Sequence, residues 1–182
     1  MRVTREQMAE HRQKILEAAG KLFRAKGFDA VTVADVMQAA GLTHGGFYGH
    51  FKSKDDLIAE TLAHAFKRGE GDLDLGTFRR AYLTPKHRDD FAGGCPTAGL
   101  AAETIRQSPA ARAAMTKGLR DTIERMSRSA EGATTKERRR AAIGGWSAMV
   151  GALVLARLSD DLELSDEILR ETRAFIDRPK AQ

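Results

Sequence analysis

The sequence of residues 32–54 reads TVADVMQAAGLTHGGFYGHFKSK. Its first four residues form a capping box, which predicts a short helix that begins after Thr32. Gly41 ends that helix, because glycine adopts the left-handed conformation without steric cost. Thr43 is a suitable cap for a second helix, which runs to about His50. The stretch therefore predicts two short helices joined by a tight turn.

The second of these helices has two different faces. Phe47 and Phe51 are four residues apart and share the face that must be buried. Gly45, Gly46 and Gly49 each cost about 1 kcal/mol relative to alanine in a helix interior. A short helix tolerates that cost when a surface must come close to its backbone, as the major groove of DNA does. A glycine-rich loop between two structural helices is the alternative, but it explains neither the caps nor the phenylalanine pair.

Polar groups on the exposed side of the second helix suit a phosphate backbone. His44, Tyr48 and His50 supply hydrogen-bond donors, and Thr43 offers a hydroxyl at a helix N-terminus. Lys54, at the start of the next helix, can meet a second phosphate. The predicted DNA-binding residues are Thr32, Val33, Thr43, His44, Gly45, Gly46, Tyr48, His50 and Lys54.

These residues also resemble a known family. Residues 47–57 read FYGHFKSKDDL, and they follow Gly-Leu-Thr and a long first helix that ends in Phe-x-x-Lys-Gly-Phe. This pattern is similar to the DNA-binding head of the tetracycline-repressor (TetR) family and covers the first third of the chain. The resemblance implies a homodimer of about nine helices, whose variable C-terminal bundle binds an inducer. It assigns phosphate contacts to Tyr48, His50, Thr43, Lys54 and Thr32, and base contacts to His44 and Gly45.

Two positions depart from the family pattern. Position 44 often holds Lys or Arg in the family, and His44 leaves the base preference open. Position 49 often holds a bulky residue, so Gly49 implies a looser contact with DNA.

Cap and spacing signals predict an all-α chain of about nine helices, with a three-helix head at residues 1–52 and a C-terminal bundle at residues 53–182. Thr4 caps the first helix, which Gly27 ends. Thr134 caps a long helix, and Ser165 caps the last one. The helices predicted after the head cover residues 54–68, 77–83, 96–106, 109–129, 135–158 and 165–177, with a charged loop at residues 86–90.

Small residues recur on one side of the long helix, which allows a second helix to approach closely. With the last helix they can form an intersubunit four-helix bundle, although the same stripe could pack inside one subunit. A dimer is preferred mainly because of the family resemblance. The predicted interface comprises Gly144, Ala148, Gly151, Ala152, Leu155, Ala156, Ile168 and Phe175.

The predicted effector site has an apolar, methionine-containing lining, although each of its residues could equally be ordinary core. Cys95 precedes Pro96 at a helix N-terminus, which favours a reactive thiolate, or else it is a small buried cap. A cysteine-based sensor of oxidants or electrophiles is therefore one alternative. The candidate residues are Phe78, Tyr82, Cys95, Leu100, Met115, Leu119, Ile123, Trp146 and Met149.

Composition limits the other function classes. The net charge of +5 suits a polyanionic partner, but many enzymes are equally basic. The single cysteine fits a reducing compartment, and without about 18 consecutive apolar residues we expect a cytoplasmic protein with no membrane span. No catalytic constellation, metal ligand set or cofactor motif is recognised, so we expect no enzyme. The sequence predicts an effector-responsive repressor that binds a palindromic operator, with a helical protein–protein adaptor as the alternative.

Overall fold

The computed structural model describes residues 4–67 and 74–177, which form nine α-helices and one 3₁₀ helix without any strand. The all-α prediction is therefore confirmed. The α-helices are α1 (Arg5–Lys26), α2 (Val33–Ala39), α3 (Lys54–Lys67), α4 (Leu75–Tyr82), α5 (Pro85–Asp89), α6 (Pro96–Thr104), α7 (Pro109–Ser129), α8 (Thr135–Leu158) and α9 (Leu162–Ile176). The 3₁₀ helix, His44–Gly49, is called the recognition helix below.

The caps of the long helices lie where the sequence predicts them. Thr4 accepts the N–H of Gln7 at 3.2 Å and begins α1 with a full capping box. Gly27 ends α1 with a φ of +82°, in the left-handed region that favours glycine. Thr134 begins α8 in the same way, accepting the N–H of Glu137 at 3.2 Å. The predicted end of the fourth helix at residue 68 lies outside the described residues.

The recognition helix differs from its prediction in type. It is a 3₁₀ helix of 6 residues, and Thr43 makes no side-chain cap hydrogen bond to it. Its first bond instead runs from the N–H of Gly46 to the carbonyl of Thr43 at 3.0 Å. A six-residue segment with three glycines has too little helix propensity to maintain α geometry, so the tighter form replaces it.

The predicted charged loop at residues 86–90 is wrong, because Pro85–Asp89 is the short helix α5. Thr84 accepts the N–H of His87 at 3.2 Å, and Pro85 occupies the first helical turn. Proline is favoured there because its fixed φ suits a helix and its missing N–H has no partner to lose. These local signals start the helix despite its run of charged residues.

The predicted start of the last helix is also wrong. α9 begins at Leu162, and its cap is Asp161, whose carboxylate accepts two backbone N–H groups. Ser165 lies inside the helix and is 1% exposed. Its hydroxyl donates to the carbonyl of Ala156 at 2.7 Å. Asp161, and not Ser165, caps α9 because a charged acceptor near a helix N-terminus is more stabilising than a neutral one.

The chain divides into two compact units by contacts: unit 1 (residues 1–69 and 99–118) and unit 2 (residues 70–98 and 119–182). In unit 1, α3 packs against α1, which also contacts α2. The ring of Phe66 in α3 packs directly on Gly118 of α7, where any side chain would collide with it. The predicted functional boundary after residue 52 stays a prediction. The fully buried large residues of unit 1 are Ile15, Phe23, Phe28, Met37, Phe47, Phe51, Leu57, Leu62 and Leu100.

Unit 2 is built around α8, which packs against α9 and α5. One side of α8 buries Trp146, Met149 and Leu153 in the core of the unit. α8 is also the one helix of the described residues that is long and apolar enough to cross a membrane. That is weak evidence for a span, because the core helix of a soluble protein meets the same criteria.

Candidate nucleic-acid interface

The turn before the recognition helix is held by backbone geometry. Gly41 has a φ of +69°, and nothing lies within 4 Å of the position that a Cβ would take there. Its conformation, and not crowding, therefore requires glycine. The N–H of Leu42 donates to the carbonyl of Met37 at 2.9 Å, which holds the turn against the end of α2.

The sequence predicts two buried phenylalanines, of which Phe47 lies in the recognition helix and Phe51 lies two residues after its end. Phe47 is 0% and Phe51 2% exposed, and their stacked rings are 5.7 Å apart between centroids. The guanidinium of Arg12 lies 4.6 Å from the centroid of the Phe51 ring. Arg12 also pairs with Glu60 of α3 at 2.5 Å. The recognition helix is thus anchored to α1 and α3, and its other face is presented to solvent.

The exposed face carries the predicted polar groups. Tyr48 is 72% exposed although its ring contacts Phe47 edge-on, with centroids 5.2 Å apart. Thr43 and His44 are also exposed, and the Thr43 hydroxyl is not used as a cap. A free hydroxyl at a helix N-terminus and an exposed phenol are the kinds of donor that contact DNA phosphates.

The three glycines of the recognition helix are not needed by the fold itself. None of them has a positive φ. A Cβ at Gly45 would meet nothing within 4 Å, and at Gly46 and Gly49 its nearest neighbours would be 3.7 Å and 3.9 Å away, ordinary van der Waals distances. Neither conformation nor packing therefore requires glycine here. The exposed backbone of this segment is therefore open to close approach by a partner surface.

His50 is more sheltered than the sequence suggests. Its ring is half-buried and meets the ring of His11 edge-on, with centroids 6.2 Å apart. Burial lowers the pKa of His50, and electrostatic interactions with His11 and Arg12 lower it further. The lowered pKa favours the neutral imidazole, which has one ring N–H group and one acceptor nitrogen.

The predicted DNA contacts in α2, its cap and α3 differ from one another. The Thr32 hydroxyl lies 2.7 Å from Asp35 Oδ2 and also accepts the Asp35 N–H at 3.1 Å, so it is committed to the α2 cap. Lys54 begins α3, whose start is fixed by a bond from the Asp56 N–H to Ser53 Oγ at 3.1 Å. Val33, beside Thr32, is half-buried. The DNA contacts of all these residues stay predictions.

The predicted effector residues fall into two groups. Phe78, Tyr82, Cys95, Ile123, Trp146 and Met149 belong to one cluster in unit 2. Leu100 and Met115 lie in unit 1, and the half-buried Leu119 lies outside that cluster. Only the unit 2 cluster therefore brings the candidate residues together, and their contact with an effector stays a prediction.

Cys95 is 9% exposed at the start of α6. Its N–H donates to His87 Nε2 at 3.2 Å, and His87 Nδ1 lies 2.7 Å from the carbonyl of Tyr82. Both contacts are satisfied when the proton is on Nδ1, which fixes the neutral form of the imidazole. The arrangement is that of a buried helix start, and a sensor role for Cys95 stays a prediction.

The predicted dimer residues differ in exposure. Ala152 and Ala156 are 4% and 1% exposed and pack into the core of unit 2 itself, which leaves no surface for a partner. Leu155 and Phe175, by contrast, are 54% and 68% exposed. Sequence reasoning missed Leu158 and Leu162, which are even more exposed. The signal was present for Leu158, because it follows Leu155 at a spacing of three residues, which places both side chains on one face of α8.

No group of three or more His, Cys, Asp or Glu side chains in residues 4–67 and 74–177 is arranged to hold a metal ion.

Residues 15–61 match the family of bacterial regulatory proteins called the tetR family. The chain is 41% identical over 74 residues to the transcriptional regulator AcrR of Shigella flexneri, covering 41% of this chain and 34% of AcrR. It is 39% identical over 85 residues to the transcriptional repressor KstR2 of Mycolicibacterium smegmatis, covering 44% of this chain and 42% of KstR2. The matches thus span less than half the length of either relative.

The fold is similar to that of a solved structure over nearly its whole length. The reduced form of E. coli NemR superimposes with a TM-score of 0.76 and 22% identity, covering 94% of this chain and 99% of NemR. At that identity the likeness concerns the fold alone.

Proposed function

We propose that the chain, whose residues 15–61 match the tetR family of bacterial regulatory proteins, is a member of that family and a cytoplasmic transcriptional repressor that binds a palindromic operator as a homodimer. A small-molecule effector, bound by the C-terminal bundle, releases it from DNA. Repression is carried over from KstR2, which is named a repressor. Release requires that the effector bind better to a conformation in which the two heads no longer fit the operator.

DNA binding is supported above all by the recognition helix. Neither a packing contact nor a positive φ requires its glycines, and its exposed face carries Tyr48 with 72% of its surface accessible. A helix without side chains at Gly45 and Gly46 lets its backbone approach base edges in the major groove closely. Exposed hydroxyls beside it can hold the phosphates on either side.

Dimerisation is supported by apolar surface on α8 and α9. Leu155, Leu158, Leu162 and Phe175 are each more than half exposed. Isolated apolar residues on a surface are common, but four on two packed helices match the self-complementary surface of a two-fold dimer. Sedimentation of Leu158→Glu compared with Ile105→Glu tests this. Only the first variant is expected to be monomeric, and a dimeric Leu158→Glu protein would exclude this surface.

Operator binding is tested by footprinting on the DNA that flanks the protein's own gene, followed by titration at several salt concentrations. We expect affinity to fall steeply with salt, because phosphate contacts release counterions. Tyr48→Ala should weaken specific binding by about tenfold or more, the loss of one to two good contacts. Ile105→Ala is the control, since it removes an apolar side chain that is 71% exposed. Unchanged operator affinity of Tyr48→Ala would contradict the proposal.

A further inference from the structure

The core of unit 2 contains an aromatic cluster formed by Phe78, Tyr82 and Trp146. The ring centroids of Tyr82 and Trp146 are 5.5 Å apart, and those of Phe78 and Trp146 are 6.3 Å apart. α4 supplies the first two rings, and α8 supplies the third. Met149, in the same cluster, is an unbranched side chain that changes rotamer at low cost, so the cluster can adapt to a guest.

Two polar atoms in this cluster form no well-aligned hydrogen bond with the described residues, although the Cys95 thiol, a weak acceptor, lies close to the first of them. They are the Tyr82 hydroxyl and the indole N–H of Trp146, and both atoms are buried. The two residues are only 4% and 7% exposed. An unsatisfied buried polar group is costly because it has lost its hydrogen bonds to water, so native proteins rarely leave two of them together. The pair therefore indicates an acceptor that is supplied from outside the chain.

Both unpartnered atoms can act as donors. The indole nitrogen can only donate. Burial raises the pKa of Tyr82 well above its ordinary value, and the nearby Cys95 raises it further, so the hydroxyl stays protonated. His87 is not a competing partner, because its two ring nitrogens already contact the Tyr82 carbonyl and the Cys95 N–H.

The surroundings favour an uncharged acceptor. Arg157 lies close enough to Tyr82 and Cys95 to interact with both electrostatically. Its N–H groups donate to the carbonyls of His87, Arg88 and Asp90 at 2.9–3.3 Å, so they are engaged by the backbone. A carboxylate in this apolar cluster would lose its hydration without gaining a free ion-pair partner.

We propose that the aromatic cluster of unit 2 binds flat, uncharged aromatic ketones, whose rings pack against Phe78, Tyr82 and Trp146 and whose carbonyl oxygen accepts hydrogen bonds from Tyr82 and Trp146. The inference rests on the proposed function, because it assigns the chemical class of the effector. A carbonyl offers two lone pairs on one small atom, which suits two donors on adjoining rings.

The test compares ketones with hydrocarbons of the same shape. Acetophenone is paired with α-methylstyrene, and 2-acetylnaphthalene with 2-isopropenylnaphthalene, so that each pair differs by an oxygen replaced with a CH₂ group. Calorimetric titration of the full chain should give about tenfold tighter binding of the ketone in at least one pair, the effect of one or two good hydrogen bonds. Equal affinities in both pairs, or no binding of any of the four compounds, would overturn the inference without recourse to a variant.

Two conservative variants test whether the Tyr82 hydroxyl and the Trp146 N–H are responsible for the preference for ketones. Tyr82→Phe and Trp146→Phe each remove one donor and retain an aromatic ring, and each should reduce the ketone preference to less than half. Ser147→Ala is the control, because it removes an exposed hydroxyl from the residue beside Trp146. A preference that survives both aromatic variants would also overturn the inference.

Operator binding, measured on the same preparations, separates the two proposals. DNA binding without any ketone preference would refute the ligand class and leave the repressor assignment intact. A ketone preference in a protein that binds no operator would support the ligand class and refute the repressor.

Discussion

The carboxylate of Glu103 in α6 accepts the backbone N–H of Phe28, with Oε2 and N 2.7 Å apart. The bond joins residues 75 positions apart and fixes the chain just after the end of α1. It also explains Gly27, where a Cβ would lie 2.6 Å from the other carboxylate oxygen. The position therefore needs glycine for its positive φ and for the approach of Glu103.

Loss of this carboxylate should destabilise the protein. Glu103→Ala leaves the N–H of Phe28 without its acceptor beside a fully buried ring, and we expect the free energy of unfolding to fall by about 1–3 kcal/mol. Glu103→Gln retains an acceptor and should lose less. Urea denaturation measures both, with Glu124→Ala as the control because Glu124 and its partner Arg128 are both more than 60% exposed. A Glu103→Ala protein as stable as the control would show that the bond contributes nothing.

Alanine in the recognition helix should separate stability from DNA binding. Gly45→Ala and Gly46→Ala meet no close neighbour, so we expect stability to stay within about 0.5 kcal/mol or to rise by up to about 1 kcal/mol. Operator affinity should fall by about tenfold, because a methyl group then stands between the backbone and the bases. Gly145→Ala is the matched control, since its Cβ also meets nothing within 4 Å. Thermal unfolding and fluorescence anisotropy are the measurements, and full operator affinity in both variants would argue against close backbone approach.

The planar geometry of the Arg88 guanidinium should contribute more to the stability of the fold than its charge does. Arg88 is 8% exposed, and it donates to Ser165 Oγ at 2.8 Å, to Asp166 Oδ1 at 2.6 Å and to both carboxylate oxygens of Asp89. Lysine cannot reproduce this planar fork. Since the two carboxylates are largely exposed, we expect Arg88→Lys to cost about 1–2 kcal/mol, mostly through the bond to Ser165.

Denaturant titration checks this cost against Arg170→Lys as the control. Arg170 pairs with Glu171 at 2.9 Å, but both side chains are about 60% exposed, so its substitution should change stability by less than about 0.5 kcal/mol. Equal effects of the two substitutions would mean that the α5–α9 connection is not stabilising.

Stability should decrease in mild acid because of His87. Burial lowers the pKa of His87 below its ordinary value, with a further lowering by Arg157, while the bond to the Tyr82 carbonyl and the charge of Asp90 oppose the change. The unfolded chain then binds a proton near pH 6.5 that the folded chain does not, so stability is lost as the pH falls below that value. His50, whose pKa is also lowered, contributes with the same sign.

Thermal unfolding between pH 7.5 and pH 5.5 measures this dependence. His87→Gln, which keeps one donor and one acceptor without titrating, should show a shallower decline than the wild-type protein. An unchanged slope in this variant would assign the acid sensitivity to other groups.

The sequence determined those features that depend on neighbouring residues. Capping boxes begin α1, α2 and α8 where the motif lies, and Gly27 and Gly41 provide the positive φ angles that end a helix and form a turn. The spacing of Phe47 and Phe51 predicted that both are buried, and both are, although Phe51 lies after the end of the recognition helix. These interactions are local, so they can be deduced from spacing alone.

Only the tertiary structure decided the features that join distant residues. The cap of α9 is Asp161, and the Ser165 hydroxyl instead forms hydrogen bonds with the carbonyl of Ala156 and with Arg88. The bond between Glu103 and Phe28 likewise joins residues far apart in the sequence. The tertiary structure also directed Ala152 and Ala156 inward and left Leu158 exposed. A small or apolar side chain is equally compatible with a core and with an interface. The choice depends on which helix packs against it, and periodicity along one helix does not contain that information.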